Sequence, residues 1–344
     1  MKHRKAPQIL SLYEEAGMLN YVIPCYLRLE DLFPGEPTVL AYVLTTTGEY
    51  VKKSIPKPFV IHNRGYHYSK LAKKKIRSLQ SEGIIFFNEW NRLEKLQIHE
   101  ILLTSKEIKP HLPETVIFNK NNIEKMMQRH HELIIKPNRG SLGDKTLKAA
   151  RLNQNNWVLH FLKNNLMEEE VFSAHQWPEL LKEDSTNTKF IVQERIALAS
   201  YGGSPFDIRV SVQRNGIGDW QITGMVGKVA KLGSFVTNVA KGGTCYPLSE
   251  IFAKLSRLNG HQVYQDIERL SLLVAEHLGN HLPNLADIGL DVGITEDGFP
   301  MFIECNARDL RYSFRNANLL TTWKATYVTP ISYGKYLLDT RKNE

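Results

Sequence analysis

The chain has 344 residues, 42% of them hydrophobic and 23% charged, a balance that suits a soluble globular protein of two or three domains. Its formal net charge of +8 favours anionic partners: nucleotide phosphates, acidic substrates or nucleic acid. No apolar run approaches the roughly 20 residues of a membrane-spanning helix, so no membrane partner is expected. The basic start, Met1 to Lys5, is not followed by a signal-peptide core. Cys25, Cys245 and Cys305 lie too far apart for metal or redox spacing, which argues for free thiols in a reducing compartment and a cytoplasmic location.

In chain order, the segment before Gly83 alternates short β-rich runs with turn residues, at Leu19 to Leu29, Val39 to Thr46 and Ile55 to Ile61. A helix is predicted from Ser69 to Ser81, ended by Gly83, and then a strand at Ile84 to Phe87. This reads as a small α/β domain of its own. The lysines at 70 and 73–75, with Arg77, read as the solvated face of that helix. No nucleic-acid module accompanies them, so nucleic acid is not the expected partner.

From Asn88, a second helix carries Leu93, Leu96, Ile98, Ile101 and Leu102 at near-helical spacing, and Pro110 and Pro113 close it. A strand at Thr115 to Phe118 and a helix from Asn122 to His131 follow. The strand Leu133 to Pro137 ends in Lys136 and enters the loop Asn138 to Asp144. A further strand and polar loops lead to Phe190 to Ile196. The last third predicts strands at Phe206 to Gln213, Trp220 to Val229 and Gly289 to Ile294, with one long amphipathic helix from about Leu248 to Leu278.

Several segments carry chemistry. Asp291 sits in an apolar strand, and Glu304 and Asn306 sit two apart in the next, on one face. Asp297-Gly298 marks the turn between them. Three oxygen ligands on one face of a hairpin suit Mg²⁺, which takes hard oxygen ligands beside substrate phosphates. The competing reading, a solvated strand face, is opposed by the apolar neighbours, because a lone buried charge is costly. Lys136 can place its ammonium on a phosphate while Gly140 and Gly143 admit backbone N–H groups to the same anion; a plain hairpin would look alike. A P-loop sequence is absent.

Gln193 and Glu194 close an apolar strand that could meet an adenine edge, or simply end in solvent. Asp207 and Arg209 share a strand face, so Asp207 could hold Arg209 for anion contacts. Asn238, Lys241, Gly242 and Gly243 combine an amide, a cation and paired glycines, as phosphate loops and flexible loops both do.

The order of these residues is more specific than any one of them. Phe86-Phe87-Asn88, Lys95, Leu112-Pro113-Glu114-Thr115, Lys136-Pro137, Asp207-x-Arg209, Asn238, Gly242-Gly243, Asp291 and Glu304-x-Asn306 fall in one sequence. In that order the chain resembles the ATP-grasp superfamily in its RimK-like branch. With Arg311-Tyr312-Ser313-Phe314-Arg315 and the tail Pro330 to Leu338, it is most similar to the YheC/YheD group of endospore coat-associated proteins.

The resemblance, over roughly Phe86 to Leu338, implies an α+β fold in which two lobes clasp ATP, preceded by a small N-terminal α/β domain. The implied boundaries are 1–85 for that domain, 86–200 for the lobe with the phosphate flap and adenine hinge, and 201–344 for the lobe with the metal site. Lys95 and Lys136 would contact the α- and β-phosphates, with Ser141 and Gly143 in the flap. Gln193, Glu194, Arg195 and Ile196 would meet adenine. Asp291, Glu304 and Asn306 would ligate Mg²⁺, with Mn²⁺ as an alternative. Arg209, Lys241 and Asn238 would steady the γ-phosphoryl group, and Lys228 is a further cation for it.

The implied reaction joins an acidic carboxylate substrate to an amine acceptor through an acyl phosphate. Spore-coat proteins are the partners the group suggests, in the cytoplasm or at the spore coat. A coat-associated structural protein that retains nucleotide binding is the alternative. The chain departs from the wider pattern just past Asn306, where Ala307-Arg308-Asp309-Leu310 replaces small residues, Pro and Gly. Arg308, Arg311 and Arg315 would make that region cationic and suited to an acidic substrate.

Overall fold

The computed structural model describes residues 7–67, 69–140, 145–163, 166–173 and 189–342. Its first helix, α1 (Pro7–Leu19), buries Leu12 and Ala16 and sets Tyr13 edge-on to Tyr327, ring centroids 5.2 Å apart. This helix has no counterpart among the elements expected from the sequence, because the chain offers no cap and no clear apolar stripe for it. The run Leu19 to Leu29, expected as a strand, is an irregular crossing. Val22 N–H donates back to the Gly17 carbonyl, Tyr21 turns left-handed (φ 55°), and the ladder contact is an isolated bridge from Tyr26 to Tyr42.

β1 (Thr38–Leu44) and β2 (Tyr50–Pro56) form an antiparallel hairpin. β3 (Val60–His62), α2 (Lys70–Ser81) and β4 (Ile85–Phe87) make a parallel crossover. Ser69 caps α2 by accepting the Ala72 N–H at 3.0 Å, and Ile76 and Leu79 bury its apolar face against Leu29, Leu32 and Val39. Lys70, Lys73, Lys74 and Arg77 are exposed, as a solvated face requires.

The next elements build a six-stranded antiparallel sheet. They are α3 (Lys95–Leu103), β5 (Thr115–Ile117), α4 (Lys120–Arg129), β6 (Glu132–Pro137), β7 (Leu147–Arg151), β8 (Asn156–Lys163), β9 (Leu166–Ser173) and β10 (Phe190–Glu194). The order β5-β10-β6-β7-β8-β9 puts Lys136 and Gln193 on adjacent central strands. Ile123, Met126 and Met127 of α4 cover one face, packing on Leu133, Ile135, Trp157 and Leu159.

The second sheet runs β14-β13-β12-β15-β16, with β11 attached to β12. Its elements are β11 (Ser200–Tyr201), β12 (Ser204–Arg214), β13 (Trp220–Val229), β14 (Thr244–Tyr246), α5 (Leu248–Lys254), α6 (Gly260–His281), β15 (Asp287–Ile294) and β16 (Pro300–Asn306). The single helix expected over Leu248 to Leu278 is thus two. Asn259 caps α6 by accepting the Gln262 N–H, and Gly260 leaves room for α6 to start against α5, since a side chain there would lie 2.8 Å from Phe252 Cβ.

The two faces of this sheet differ in kind. Phe206, Ile208, Val210 and Val212 of β12 join Ile288, Leu290, Val292 and Ile294 of β15 in the largest core, against Ile267, Leu270, Val274 and Leu278 of α6. The alternate positions, Asp207, Arg209, Ser211 and Gln213 on β12 and Asp287, Gly289, Asp291 and Gly293 on β15, turn the other way. That polar face is closed in part by α7 (Tyr312–Asn316) and α8 (Leu320–Lys342), where Gln213 donates to the Thr326 carbonyl at 2.9 Å.

Candidate functional site

Strand register brings the acidic and basic residues together. Arg209 on β12 lies directly opposite Asp291 on β15, and Asp291 lies directly opposite Glu304 on β16, so the three form one row across adjacent strands. Arg209 grips Asp291 with Nε to Oδ1 at 2.8 Å and Nη2 to Oδ2 at 3.1 Å. Lys228, opposite Asp207 on β13, bridges Asp207 at 2.9 Å and Asp291 at 2.8 Å. The expectation that Asp207 holds Arg209 is therefore corrected. Neighbours across the ladder lie nearer than residues two apart on one strand, so Asp207 pairs with Lys228 and Arg209 with Asp291.

A register shift between Asp291 and Val292 leaves Ile303 unopposed on β16. Ile303 and Glu304 consequently both line a cleft of about 150 Å³ between the two sheets. The first sheet contributes Ile134, Lys136, Gln193 and Glu194 to this cleft, the linking segment Arg195, Ile196 and Leu198, the second sheet Asp207, Lys228 and Asp291, and the loop between β13 and β14 Asn238. Lys95, the first residue of α3, donates to the Gly140 carbonyl at 2.9 Å and stands 3.4 Å from Glu304. Asn138 fixes that helix start, accepting the Leu96 N–H through Oδ1 at 2.9 Å and the Lys95 N–H through its carbonyl at 3.0 Å.

Charge in the cleft is finely opposed. Burial works against the Asp291 carboxylate, but Arg209 and Lys228 outweigh it and hold it far below the usual range. Burial raises Asp207 against the pull of Lys228, with Asp291 adding to the rise. Burial lowers the Lys136 ammonium to about 8, partly offset by Glu304 and reinforced by Lys95. Burial also raises the Cys305 thiol, which keeps it protonated and unsuited to nucleophilic work.

The residues expected at the site separate into groups. Lys136, Gln193, Glu194, Arg195, Ile196, Lys228, Asn238, Asp291 and Glu304 line the cleft, and Lys95 and Arg209 touch its carboxylates. Three of the adenine-side groups are engaged elsewhere: Gln193 donates to Thr115 Oγ1 at 2.9 Å, Glu194 accepts the Glu114 N–H at 3.2 Å, and Arg195 pairs with Glu132. The Ile196 N–H has no backbone partner among the described residues. Asn238 caps a short 3₁₀ turn, accepting the Ala240 N–H at 2.8 Å, and Lys241 ends that turn outside the cleft lining. Ser141 and Gly143 lie outside the described residues.

Asn306 stands opposite Gly289, two residues along β16 from the row, and makes no side-chain hydrogen bond with the described residues. Among the described residues no group of three His, Cys, Asp or Glu side chains is poised around one metal position. The donor chemistry of Asp291, Glu304 and Asn306 nevertheless suits Mg²⁺. Two of them face each other across the ladder and the third is unengaged, but both Asp291 oxygens are held by cations that must yield one of them.

The segment past Asn306 differs from the expectation of a cationic surface. Arg311 is 1% exposed and pairs with the fully buried Asp287, which also meets Arg64 at 3.1 Å and His62 at 3.1 Å. Its charge is therefore spent inside the fold. Arg308 lies over the Tyr66 ring, 4.5 Å from the centroid, and Arg315 is exposed beside Trp323. Asp309 and Thr237, which hydrogen-bonds Asp207, were not singled out as site residues because nothing in their local sequence marks them. A larger hollow of about 460 Å³ lies elsewhere, where His111 stacks on Phe299 beside the β15–β16 turn, and contains none of the expected site residues.

A family model described as YheC/D-like ATP-grasp matches residues 83–337. The chain belongs to that family. Among curated relatives of this YheC/D-like ATP-grasp chain is the endospore coat-associated protein YheD of Bacillus subtilis (strain 168), 24% identical over 345 residues, 96% of this chain and 73% of the relative. The endospore coat-associated protein YheC of the same organism is 19% identical over 253 residues, 73% of this chain and 68% of the relative. Among solved structures, the ATP-grasp ligase PsnB complexed with a minimal precursor shares the fold, with 14% identity, a TM-score of 0.51, and coverage of 93% of this chain and 96% of that one. The two sheets facing each other across the cleft are thus the two lobes of an ATP-grasp fold.

Proposed function

We propose that the chain is an ATP- and Mg²⁺-dependent carboxylate–amine ligase that works through an acyl phosphate. A carboxylate oxygen of the substrate attacks the γ-phosphorus of ATP, and the bond to the β,γ-bridging oxygen breaks to release ADP. An amine nitrogen then attacks the acyl carbon, loses its proton and expels inorganic phosphate, leaving an amide. Such chemistry needs positioned positive charge and no side-chain nucleophile, in keeping with the protonated Cys305. The observation that carries the reading is the Arg209–Asp291–Glu304 row, with Lys228 beside it on the same sheet, facing Lys136 of the other sheet across one cleft.

In this reading Lys95 and Lys136 meet the α- and β-phosphates, and Arg209, Lys228, Asn238 and Lys241 attend the γ-phosphoryl group. Asp291, Glu304 and Asn306 would hold Mg²⁺, which would supply positive charge to offset the negative charge of the phosphates. Adenine lies against Ile134, Leu198 and Ile303, with its edge on the open Ile196 N–H. The division at 1–85, 86–200 and 201–344 belongs to the same proposal. The substrate is an acidic peptide or amino acid, and the names of the relatives point to a role in the spore coat.

The test is release of ADP and phosphate by purified protein across a panel of acidic carboxylates paired with amines. Substrate-dependent release that Glu304→Ala abolishes supports the ligase. Tight nucleotide binding with no release across the panel favours a non-catalytic, nucleotide-binding coat component instead.

A further inference from the structure

Arg209 has two carboxylate partners, and only one of them belongs to the expected metal set. Its Nε and Nη2 face Asp291, while its Nη1 donates to Asp309 Oδ1 at 3.0 Å. Asp309 is fully buried, and the same oxygen accepts the Arg311 N–H at 3.3 Å. Its carbonyl accepts from Arg64 Nη2 at 2.6 Å, and the other arm of Arg64 reaches Asp287 at 3.1 Å. The N-terminal segment therefore clamps the main chain that carries Asp309.

The sequence makes room for this pair. A side chain at Gly289 would place its Cβ 2.8 Å from Asp309 Oδ1 and 3.1 Å from Arg209 Nη1. Glycine at that point of β15 is what lets the two meet over the strand. The segment Ala307 to Leu310, which departs from the wider family pattern, thus supplies an inward carboxylate rather than a surface.

We infer that Asp309 is a positioning residue that aims Arg209 at the transferring phosphoryl group, held in turn by Arg64 of the N-terminal segment. The need for it follows from geometry. When Asp291 turns an oxygen to the cation, the Arg209 fork loses part of its support, and Asp309, off the metal face, keeps the guanidinium plane fixed. A planar fork held on two edges points its remaining N–H groups in one direction. The inference rests on the proposed contact of Arg209 with the γ-phosphoryl group.

The experiment compares the affinities of AMP-PNP and ADP, each with Mg²⁺, by calorimetry for the full chain and for Asp309→Asn, Gly289→Ala and Arg209→Gln. Asn is isosteric with Asp, and Gly289→Ala displaces the pair from the opposite side should Asp309→Asn fail to fold. The expected result is a preference for AMP-PNP over ADP that falls about tenfold in Asp309→Asn and Gly289→Ala, with ADP affinity unchanged. Arg209→Gln should lose at least as much. If Arg209→Gln loses the preference while Asp309→Asn and Gly289→Ala keep it, the positioning role is overturned and the γ-phosphoryl reading of Arg209 stands. If Arg209→Gln keeps the preference, that reading falls and the inference falls with it. Equal weakening of both nucleotides by Asp309→Asn would mark a merely structural residue and also overturn the inference.

Discussion

Replacing Lys136 by methionine should stabilise the nucleotide-free protein while weakening its hold on nucleotide. Lys136 is 7% exposed, and burial brings its pKa down from 10.5 to about 8 against the opposing pull of Glu304. A shift of that size opposes folding by about 3 kcal/mol near neutral pH. The sign is the reverse of a salt-bridged lysine, because the unfolded chain holds this proton more tightly than the folded one. The penalty is full below about pH 8 and fades as pH rises toward about 10.5, where the unfolded lysine also loses its proton.

Methionine fills a similar volume without charge. Urea unfolding should show the variant more stable than the parent by about 3 kcal/mol near pH 7, narrowing to about 1 kcal/mol near pH 10. Nucleotide phosphates should restore the charge. Near pH 8.5 about a quarter of the ammonium is protonated, so binding should take up roughly three quarters of a proton. Calorimetry in buffers of different ionisation enthalpy reads that uptake, which the variant should lack. A variant less stable than its parent near pH 7 would refute the reasoning, since the ammonium would then be a net contributor to folding. Binding without proton uptake would refute its contact with phosphate.

Two further substitutions separate support from chemistry. Arg311→Met leaves Asp287 buried with Arg64 as its neighbouring cation, because burial lowers His62 to about 4 and leaves it uncharged near neutral pH, and should cost about 3–5 kcal/mol in urea unfolding; an effect below about 1 kcal/mol would show that the pair is not what closes this junction. Asn88→Ala removes an amide that donates to the Asp287 and Ala307 carbonyls and accepts the Ala286 and Asp287 N–H groups, tying β15 to the end of β16. At about 1 kcal/mol per bond the loss should approach about 4 kcal/mol, measured in the same way, and a neutral result would contradict the stitching role.

The sheet that carries the acidic row was legible because its strands alternate. In β15 the apolar positions Ile288, Leu290, Val292 and Ile294 go to the core and leave Asp291 on the far face, as period-two patterning requires. The Asp297-Gly298 turn held for the same local reason, with Gly298 at φ 88°. What escaped was mostly non-local. No spacing along one strand tells that Lys228 crosses to both Asp207 and Asp291, or that Asp309 reaches Arg209 over a glycine. Arg311 reads as surface charge because its partner, Asp287, lies at the start of β15, far from it in sequence. Of β7, β8 and β9 the sequence shows a single strand, and β9 is masked because Glu168, Glu169 and Glu170 break any alternation; it is held by pairing along its length with β8, whose Trp157 and Leu159 join the core. The break before α6 was written in Asn259-Gly260, but the apolar period continues across it and masks the cap.

The central claim is that the cleft between the two sheets binds ATP together with Mg²⁺ through the residues gathered there. Calorimetric titration of ATP into the full chain, with and without Mg²⁺, tests it most directly when repeated on Glu304→Ala. The expected result is saturable, Mg²⁺-dependent binding by the parent that Glu304→Ala loses. Failure of the parent to bind ATP at millimolar concentration, or binding that neither Mg²⁺ nor Glu304→Ala alters, would contradict it.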